Sequence, residues 1–217
     1  QAKVPIVFRA GMFYGGSNAA QHSDRPHPMF MNIPGFKIIM PSTPYDVKGL
    51  LKSAIRDDDP VICFEDDTLW FSKGSIPDEE YTIPLGKAEI KREGKDVTVV
   101  GIAGGVTLAL AAADELANAG ISIEVIDPRT LVPLDKNLIL QSVSKTGRLV
   151  VVDPAHKTCS AASEISAIVA EESFWNLKAP IQRVATADVQ IPFSPALEPL
   201  LYPSKEKIVA AVQKTLE

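Results

Sequence analysis

Residues 96–120, DVTVVGIAGGVTLALAAADELANAG, contain the pattern that decides the fold. The β-branched run 97–100 is typical of a fully buried strand in a parallel sheet. A glycine-rich turn follows at 101–105, and apolar residues then recur at helical spacing up to Gly120, a residue suited to a left-handed helix cap. The stretch therefore predicts a strand, a tight turn and a helix in immediate succession.

The same alternation continues to the end of the chain. Strands are predicted at residues 121–126, 149–152 and 181–185, and helices at 135–147, 160–174 and from Ser204 onward. Strands separated by helices imply a parallel sheet with right-handed crossovers. We therefore predict a doubly wound α/β domain over residues 96–217.

The first 75 residues carry a shortened form of this pattern. Three strands are predicted, at residues 4–8, 37–40 and 61–64, with one clear helix that begins at Ser42-Thr43-Pro44. Residues 11–32 contain too many Gly, Pro and His residues for regular structure. We interpret residues 1–75 as an incomplete α/β domain, cut midway through its sheet, and residues 76–95 as a linker.

Composition narrows the classes of function. The 217 residues are 46% hydrophobic and 23% charged, as in an ordinary globular protein, and the net charge of −5 makes nucleic acid an improbable partner. The two cysteines cannot form a disulfide scaffold, which favours a reducing compartment. The longest uncharged run, residues 97–113, is shorter than the roughly 20 residues a membrane helix needs. The reducing compartment that we expect is a bacterial cytoplasm, ahead of an organelle matrix.

The loop before the first helix contains two candidate site residues, His22 and His27. They flank the sequence Ser-Asp-Arg-Pro at residues 23–26, whose charges can tune a histidine that moves protons or holds an anion. A plain surface role for either histidine stays open, and two ligands alone do not make a zinc site. The turn 101–105 lacks the GxGxxG spacing, so a close-packed turn is favoured there over an anion site.

The end of the predicted 44–56 helix, AIRDDDP at residues 54–60, is a candidate cation site. The last carbonyls of a helix lack partners and carry the negative end of its dipole, and three carboxylates follow them here. Such an oxygen-rich pocket suits a hard cation. A solvated acidic helix end is the alternative.

Seven segments in a fixed order carry a family resemblance. They are VPIVFR (4–9), AQHS (20–23), PGFK (34–37), PSTPYD (41–46), AIRDDDPV (54–61), DPRTL (127–131) and SPALE (194–198). Together they resemble the beta subunits of thiamine-diphosphate-dependent 2-oxoacid dehydrogenases, and residues 126–129 and 151–153 look closest to the acetoin branch. The resemblance implies a partial pyrimidine-binding domain, lacking its first half, followed by a transketolase-type C-terminal domain.

The resemblance also implies an activity and partners. Members work with an alpha subunit in an α2β2 assembly, oxidatively decarboxylate a 2-oxoacid or cleave acetoin, and pass the acyl group to lipoamide on an acyltransferase. Thiamine diphosphate is the cofactor, its diphosphate and magnesium held mainly by the alpha partner. The glutamate that activates its aminopyrimidine ring is expected upstream of Gln1, and no membrane partner is expected.

At the level of residues, the resemblance places His22 at the active-site entrance, where it helps to hold acyl intermediates or the lipoyl group. It places potassium at Ala54, Ile55, Asp57 and Asp59. Most members of the family have uncharged residues after the segment that contains His22, whereas this chain has DRPHP at residues 24–28. The resemblance therefore does not identify the substrate or the acceptor. A non-catalytic assembly or ligand-binding module, and a transketolase or related synthase, remain as alternatives.

Overall fold

The structure, a computed structural model, describes residues 3–217. Its strands are β1 (Val7–Met12), β2 (Lys37–Ile39), β3 (Val61–Asp66), β4 (Glu89–Arg92), β5 (Val97–Gly101), β6 (Ile123–Asp127), β7 (Thr130–Val132), β8 (Leu149–His156) and β9 (Gln182–Thr186). Its α-helices are α1 (His27–Met31), α2 (Pro44–Ile55), α3 (Gly104–Asn118), α4 (Lys136–Thr146), α5 (Ala161–Glu172) and α6 (Lys205–Lys214). Within these residues, no helix is long and apolar enough to cross a membrane.

The C-terminal half forms a five-stranded sheet in the order β4-β6-β5-β8-β9. Strands β5, β6, β8 and β9 are parallel, and β4 adds an antiparallel edge. Helices α3 and α6 pack on one face of the sheet, while α4 and α5 pack on the other. The predicted doubly wound α/β architecture is confirmed.

The ends of the helices follow from their capping residues. Thr43 accepts a hydrogen bond from Asp46 N at the start of α2, and Ser160 caps α5 in the same way. Helix α4 ends at Gly147, whose φ of 75° is a left-handed conformation that glycine adopts without strain.

The N-terminal half forms a second sheet in the order β1-β3-β2-β7. Strands β1, β2 and β3 are parallel, whereas β7 is antiparallel to β2 and comes from residues assigned by sequence to the C-terminal domain. One core cluster contains Met12 and Phe64 from this sheet and Val100 and Val151 from the other. The two halves of the chain therefore share a continuous hydrophobic core.

Two expectations for irregular structure need correction. Residues 11–32 are not wholly irregular, because β1 extends to Met12 and residues 27–31 form α1. This short helix is held by packing, since Phe30 lies 5.8 Å from Phe64 between ring centroids. Residues 89–92 of the predicted linker form β4, an edge strand whose charged sequence carries no apolar run. The proposed domain boundaries themselves stay a prediction.

Candidate functional site

The predicted histidine His22 lies on a long loop at the carboxyl edge of the first sheet. Parallel strands β1 and β3 end together there, with Met12 opposite Asp66. Residues 13–26, the His22 loop, leave this edge and lead into α1. The carboxyl edge of a parallel sheet is where α/β proteins commonly bind ligands, so this loop is the first candidate.

Asp66, at the end of β3, anchors the start of the loop. Its Oδ2 accepts hydrogen bonds from the Tyr14 hydroxyl at 2.6 Å and from Gly104 N at 2.8 Å. A Cβ at Gly104 would lie 2.6 Å from that oxygen, so the approach requires glycine. The turn considered as an anion site therefore already binds a carboxylate of the protein, at the positive end of α3.

Glu198, within the SPALE segment, anchors the middle of the loop. Its carboxylate accepts hydrogen bonds from Gly15 N at 2.9 Å, Ser17 N at 2.7 Å and the Tyr202 hydroxyl at 2.8 Å. Burial acts to raise the pKa of Glu198, but these hydrogen bonds outweigh it and the pKa is lowered. Glu198 therefore holds the loop as a carboxylate.

Asp153, on β8, anchors the far end through His27. Asp153 Oδ1 lies 3.1 Å from His27 Nε2, and both side chains are fully buried. Asp153 also accepts from Ala155 N and from Ala162 N in the first turn of α5. Burial acts to raise the pKa of Asp153, but the His27 charge and the hydrogen bonds lower it overall.

Arg25 fills the space beneath the loop. Its guanidinium lies between the Tyr14 and Tyr202 rings, 4.8 and 4.7 Å from their centroids, and Nη1 donates to Ser23 O at 2.6 Å. Burial lowers the pKa of Arg25, against the opposing influence of the two tyrosines and Asp66. Arg25 therefore packs between two aromatic rings, and its role in tuning a histidine stays a prediction.

His22 is exposed, whereas its neighbours Ser23, Arg25 and His27 are buried. The loop before it contains Ser17 and Ala19 at φ of 56° and 55°, a conformation that non-glycine residues rarely adopt. Strained backbone persists only where surrounding contacts hold it, as the anchoring carboxylates do here. The structure therefore exposes His22 to solvent on an anchored loop, whereas His27 is buried.

Sequence reasoning did not identify the three anchoring carboxylates, Asp66, Asp153 and Glu198, as site residues. A usable signal existed for two of them, because Asp66 and Asp153 each follow a buried apolar run in a parallel strand. Carboxylates at that edge of a sheet point to a ligand or to a loop that must be held. Glu198 carries no local signal for this role, since the loop residues that it holds, Gly15 and Ser17, lie more than 180 residues away in the chain.

The predicted cation residues lie at the opposite end of β3. Ala54 and Ile55 end α2, and Lys37 Nζ pairs with the carboxylates of Asp57 at 2.7 Å and Asp59 at 3.2 Å. Among the residues described, no group of three or more His, Cys, Asp or Glu side chains could hold a metal ion. A cation here would thus depend largely on backbone carbonyl oxygens, because Lys37 already pairs with both carboxylates.

The PSTPYD and DPRTL segments meet at the junction of the two sheets. Arg129 donates to Asp46 at 2.7 Å and to Glu89 at 2.6 Å, and Lys91 lies 3.2 Å from Asp46. Asp127 accepts from Arg129 N at 2.8 Å and from the Ser42 hydroxyl. These motif residues therefore form a buried charge network that joins the two halves of the chain.

Asp127 gives this junction a testable pH dependence. Burial raises the pKa of Asp127 from 3.8 to about 6, despite hydrogen bonding from Ser42 and the nearby Lys91 charge. The folded protein thus binds this proton more tightly than the unfolded chain, so stability falls as pH rises through about 6. Asp127→Asn should remove a loss of about 2 kcal/mol between pH 4 and 7, measured by denaturant unfolding.

The exposed acid Asp78 provides the control for this measurement. Asp78→Asn should leave the pH profile of stability unchanged. An unchanged profile in Asp127→Asn would contradict the raised pKa, because other groups would then account for the whole wild-type curve.

A cavity of about 600 Å³ opens beside Asp66 and is lined by Arg9, Ser42, Glu65 and Trp70 among others. Arg9 pairs with both oxygens of Glu65, at 2.5 and 3.0 Å. Asp66 is engaged by Tyr14 and Gly104. Both carboxylates that line the cavity are therefore already paired.

Comparisons with known proteins agree with this architecture. The transketolase pyrimidine-binding domain family matches residues 1–70, and the transketolase C-terminal domain family matches residues 86–208. A solved split-gene transketolase, described as an inactive beta4 tetramer, has a TM-score of 0.82 at 25% identity, over 99% of this chain and 67% of its own.

Curated relatives match along the full chain. The beta subunit of acetoin:2,6-dichlorophenolindophenol oxidoreductase from Bacillus subtilis (strain 168) is 48% identical over 100% of this chain. The beta subunit of the pyruvate dehydrogenase E1 component from the same organism is 42% identical over 98% of it. The chain spans 63% and 66% of the lengths of these relatives. From its two matched domains, the chain belongs to the transketolase family of pyrimidine-binding and C-terminal domains, and the relatives that it is similar to are beta subunits of acetoin and pyruvate dehydrogenases.

Proposed function

We propose that this chain is part of the beta subunit of a thiamine-diphosphate-dependent dehydrogenase. With an alpha partner in an α2β2 assembly, it decarboxylates a 2-oxoacid or cleaves acetoin and passes the acyl group to lipoamide on an acyltransferase. The observation that carries the proposal is the exposed His22 on a loop anchored by three buried carboxylates. Its relatives support the same reaction class. We place it in a bacterial cytoplasm.

The two carboxylates that line the cavity beside Asp66 already have partners in the protein. Of the carboxylates at the cavity, Glu65 is paired with Arg9 and Asp66 with Tyr14 and Gly104. We therefore propose that the activating glutamate precedes Gln1 and that the diphosphate and magnesium are held mainly by the alpha partner. When bound, thiamine supplies the electron sink for cleavage next to a carbonyl.

A turnover assay tests this proposal. The full-length protein, purified with its alpha partner, should reduce 2,6-dichlorophenolindophenol in a thiamine-diphosphate-dependent reaction with pyruvate, a branched 2-oxoacid or acetoin. No reduction with any of the three would contradict the proposed function.

A second candidate is a non-catalytic assembly module, favoured by the pairing of both cavity carboxylates and by the inactive beta4 assembly of the solved neighbour. Intact-mass analysis of the natural gene product separates the two. A product that starts at or near Gln1 supports the module, whereas about a hundred further residues upstream support the enzyme.

We also propose potassium at Ala54, Ile55, Asp57 and Asp59, bound mainly through carbonyl oxygens. A cation that binds only the folded state stabilises it by about 2.7 kcal/mol at a hundredfold excess over its dissociation constant. The melting temperature of the assembled full-length protein should therefore be higher in potassium chloride than in equimolar tetramethylammonium chloride. Asp57→Ala should abolish the difference.

Matched ionic strength excludes general screening as the cause of such a difference. Equal melting temperatures in the two salts would contradict the site and leave Asp57 and Asp59 paired with Lys37 alone among residues 3–217.

A further inference from the structure

Within residues 3–217, every buried side-chain nitrogen or oxygen without a hydrogen-bond partner lies in one five-residue segment. These atoms are Ser23 Oγ, Arg25 Nε, Arg25 Nη2 and His27 Nδ1. The three residues are 1%, 5% and 0% exposed. Buried polar groups are almost always paired, so four unpaired atoms within one five-residue segment indicate that this segment has a missing binding partner.

The unpaired edge of Arg25 has a specific geometry. Nη1 is used by Ser23 O at 2.6 Å, and the Tyr14 and Tyr202 rings fix the guanidinium plane from both sides. The edge that remains, Nε with Nη2, presents two parallel N–H donors. That fork matches the two oxygens of a carboxylate.

His27 and Ser23 add further polar atoms. Asp153 lies against His27 Nε2, and because the pKa of Asp153 is lowered it remains ionised and accepts the Nε2 proton. His27 Nδ1 is left for a second partner, and the Ser23 hydroxyl can donate as well.

Acids of the protein itself do not serve this edge. Asp66 and Glu198 are occupied by Tyr14 and Tyr202, the same rings that enclose Arg25. Asp24, next to Arg25 in the chain, is exposed. The site also lies near three anchoring carboxylates, so a single negative charge is accommodated better than the double charge of a phosphate.

We propose that Ser23, Arg25 and His27 form a binding site for the carboxylate of a small organic acid. The acid is either the substrate of the enzyme or a separate small carboxylate, and the first of these sources rests on the proposed function. Because the four atoms are covered, the His22 loop must shift to admit the acid. The strained positions Ser17 and Ala19 lie within that loop.

The test uses acetate as the probe on the full-length protein. Sodium acetate should raise the melting temperature by several degrees more than equimolar sodium chloride containing the neutral isostere acetamide. Arg25→Lys, which keeps the charge and loses the fork, should weaken acetate binding at least tenfold by calorimetry, and Arg25→Gln should abolish it.

Arg92→Gln is the matched control, because Arg92 pairs with Asp114 on the distant β4 edge, and it should retain the acetate effect. If Arg25→Gln fails to fold, the comparison of acetate binding by the wild type and by Arg25→Lys still tests the proposal. If sodium acetate raises the melting temperature no more than sodium chloride with acetamide does, only water fills the site. That result would overturn the proposal.

Turnover then distinguishes the two sources of the carboxylate. Acetate that competes with a 2-oxoacid, raising KM with kcat unchanged, identifies the substrate as the ligand. Acetate that stabilises the protein without competing identifies a separate acid. An enzyme inactive with every substrate would refute the proposed function, while the melting experiment would still decide the site.

Discussion

Replacing Asp153 by alanine should lower the free energy of unfolding by at least about 3 kcal/mol, because it leaves three buried N–H donors without an acceptor, at about 1–3 kcal/mol each. The His27 imidazole would lose the acid at 3.1 Å with no solvent to replace it. The N–H groups of Ala155 and Ala162 would also lose their acceptor. Denaturant unfolding of the full-length protein measures the effect.

Asp188 is a matched control for this substitution. Its carboxylate also accepts hydrogen bonds from the protein, from Thr158 N at 3.0 Å and Thr158 Oγ1 at 2.8 Å, but it is exposed to solvent. Water can replace the lost contacts there, so Asp188→Ala should change stability far less. Equal effects of the two substitutions would show that burial of the Asp153–His27 pair does not matter.

Asp153→Asn separates charge from hydrogen bonding. The amide oxygen can still accept a hydrogen bond from Ala155 or Ala162, but the negative charge opposite His27 is lost. Stability should fall between wild type and Asp153→Ala. Cleavage of the His22 loop by a protease should become faster in both variants, because the far anchor of that loop is weakened.

Local patterns predict the elements whose sequence matches their environment. Strand β5 is a β-branched run buried on both faces, and its Val97 and Val99 face α3 while Val100 faces the other core cluster. Gly147 ends α4 as expected. Edge strand β4 and strand β7 are not predicted, since their pairing depends on distant partners in β6 and β2.

The sequence predicts only part of the candidate site, because some of its contacts join residues that are far apart in the chain. His22 stands out in the sequence as a polar residue in a long loop, and exposure agrees with that interpretation. The burial of His27 is not visible locally, because it depends on Asp153, 126 residues away. Two histidines in one loop thus have opposite environments, and only tertiary contacts distinguish them.

The second substitution with a large expected effect is His22→Ala, which changes the exposed histidine of the loop. His22→Ala should lower lipoyl-dependent turnover of the assembled full-length enzyme at least tenfold, which corresponds to about 1.4 kcal/mol of transition-state stabilisation. The melting temperature should hardly change, because the His22 side chain is exposed and contributes little packing. Steady-state turnover and thermal unfolding of the same preparation measure both quantities.

Gln21→Ala provides the control on the same exposed turn and should leave turnover near wild type. His27→Ala, unlike His22→Ala, should cause a large loss of stability, because it leaves the buried Asp153 carboxylate without one of its hydrogen-bond donors. If His22→Ala keeps full turnover, or if its loss is matched by a fall in melting temperature, His22 does not act in the reaction. The exposed histidine and the buried one would then differ only in how they support the fold.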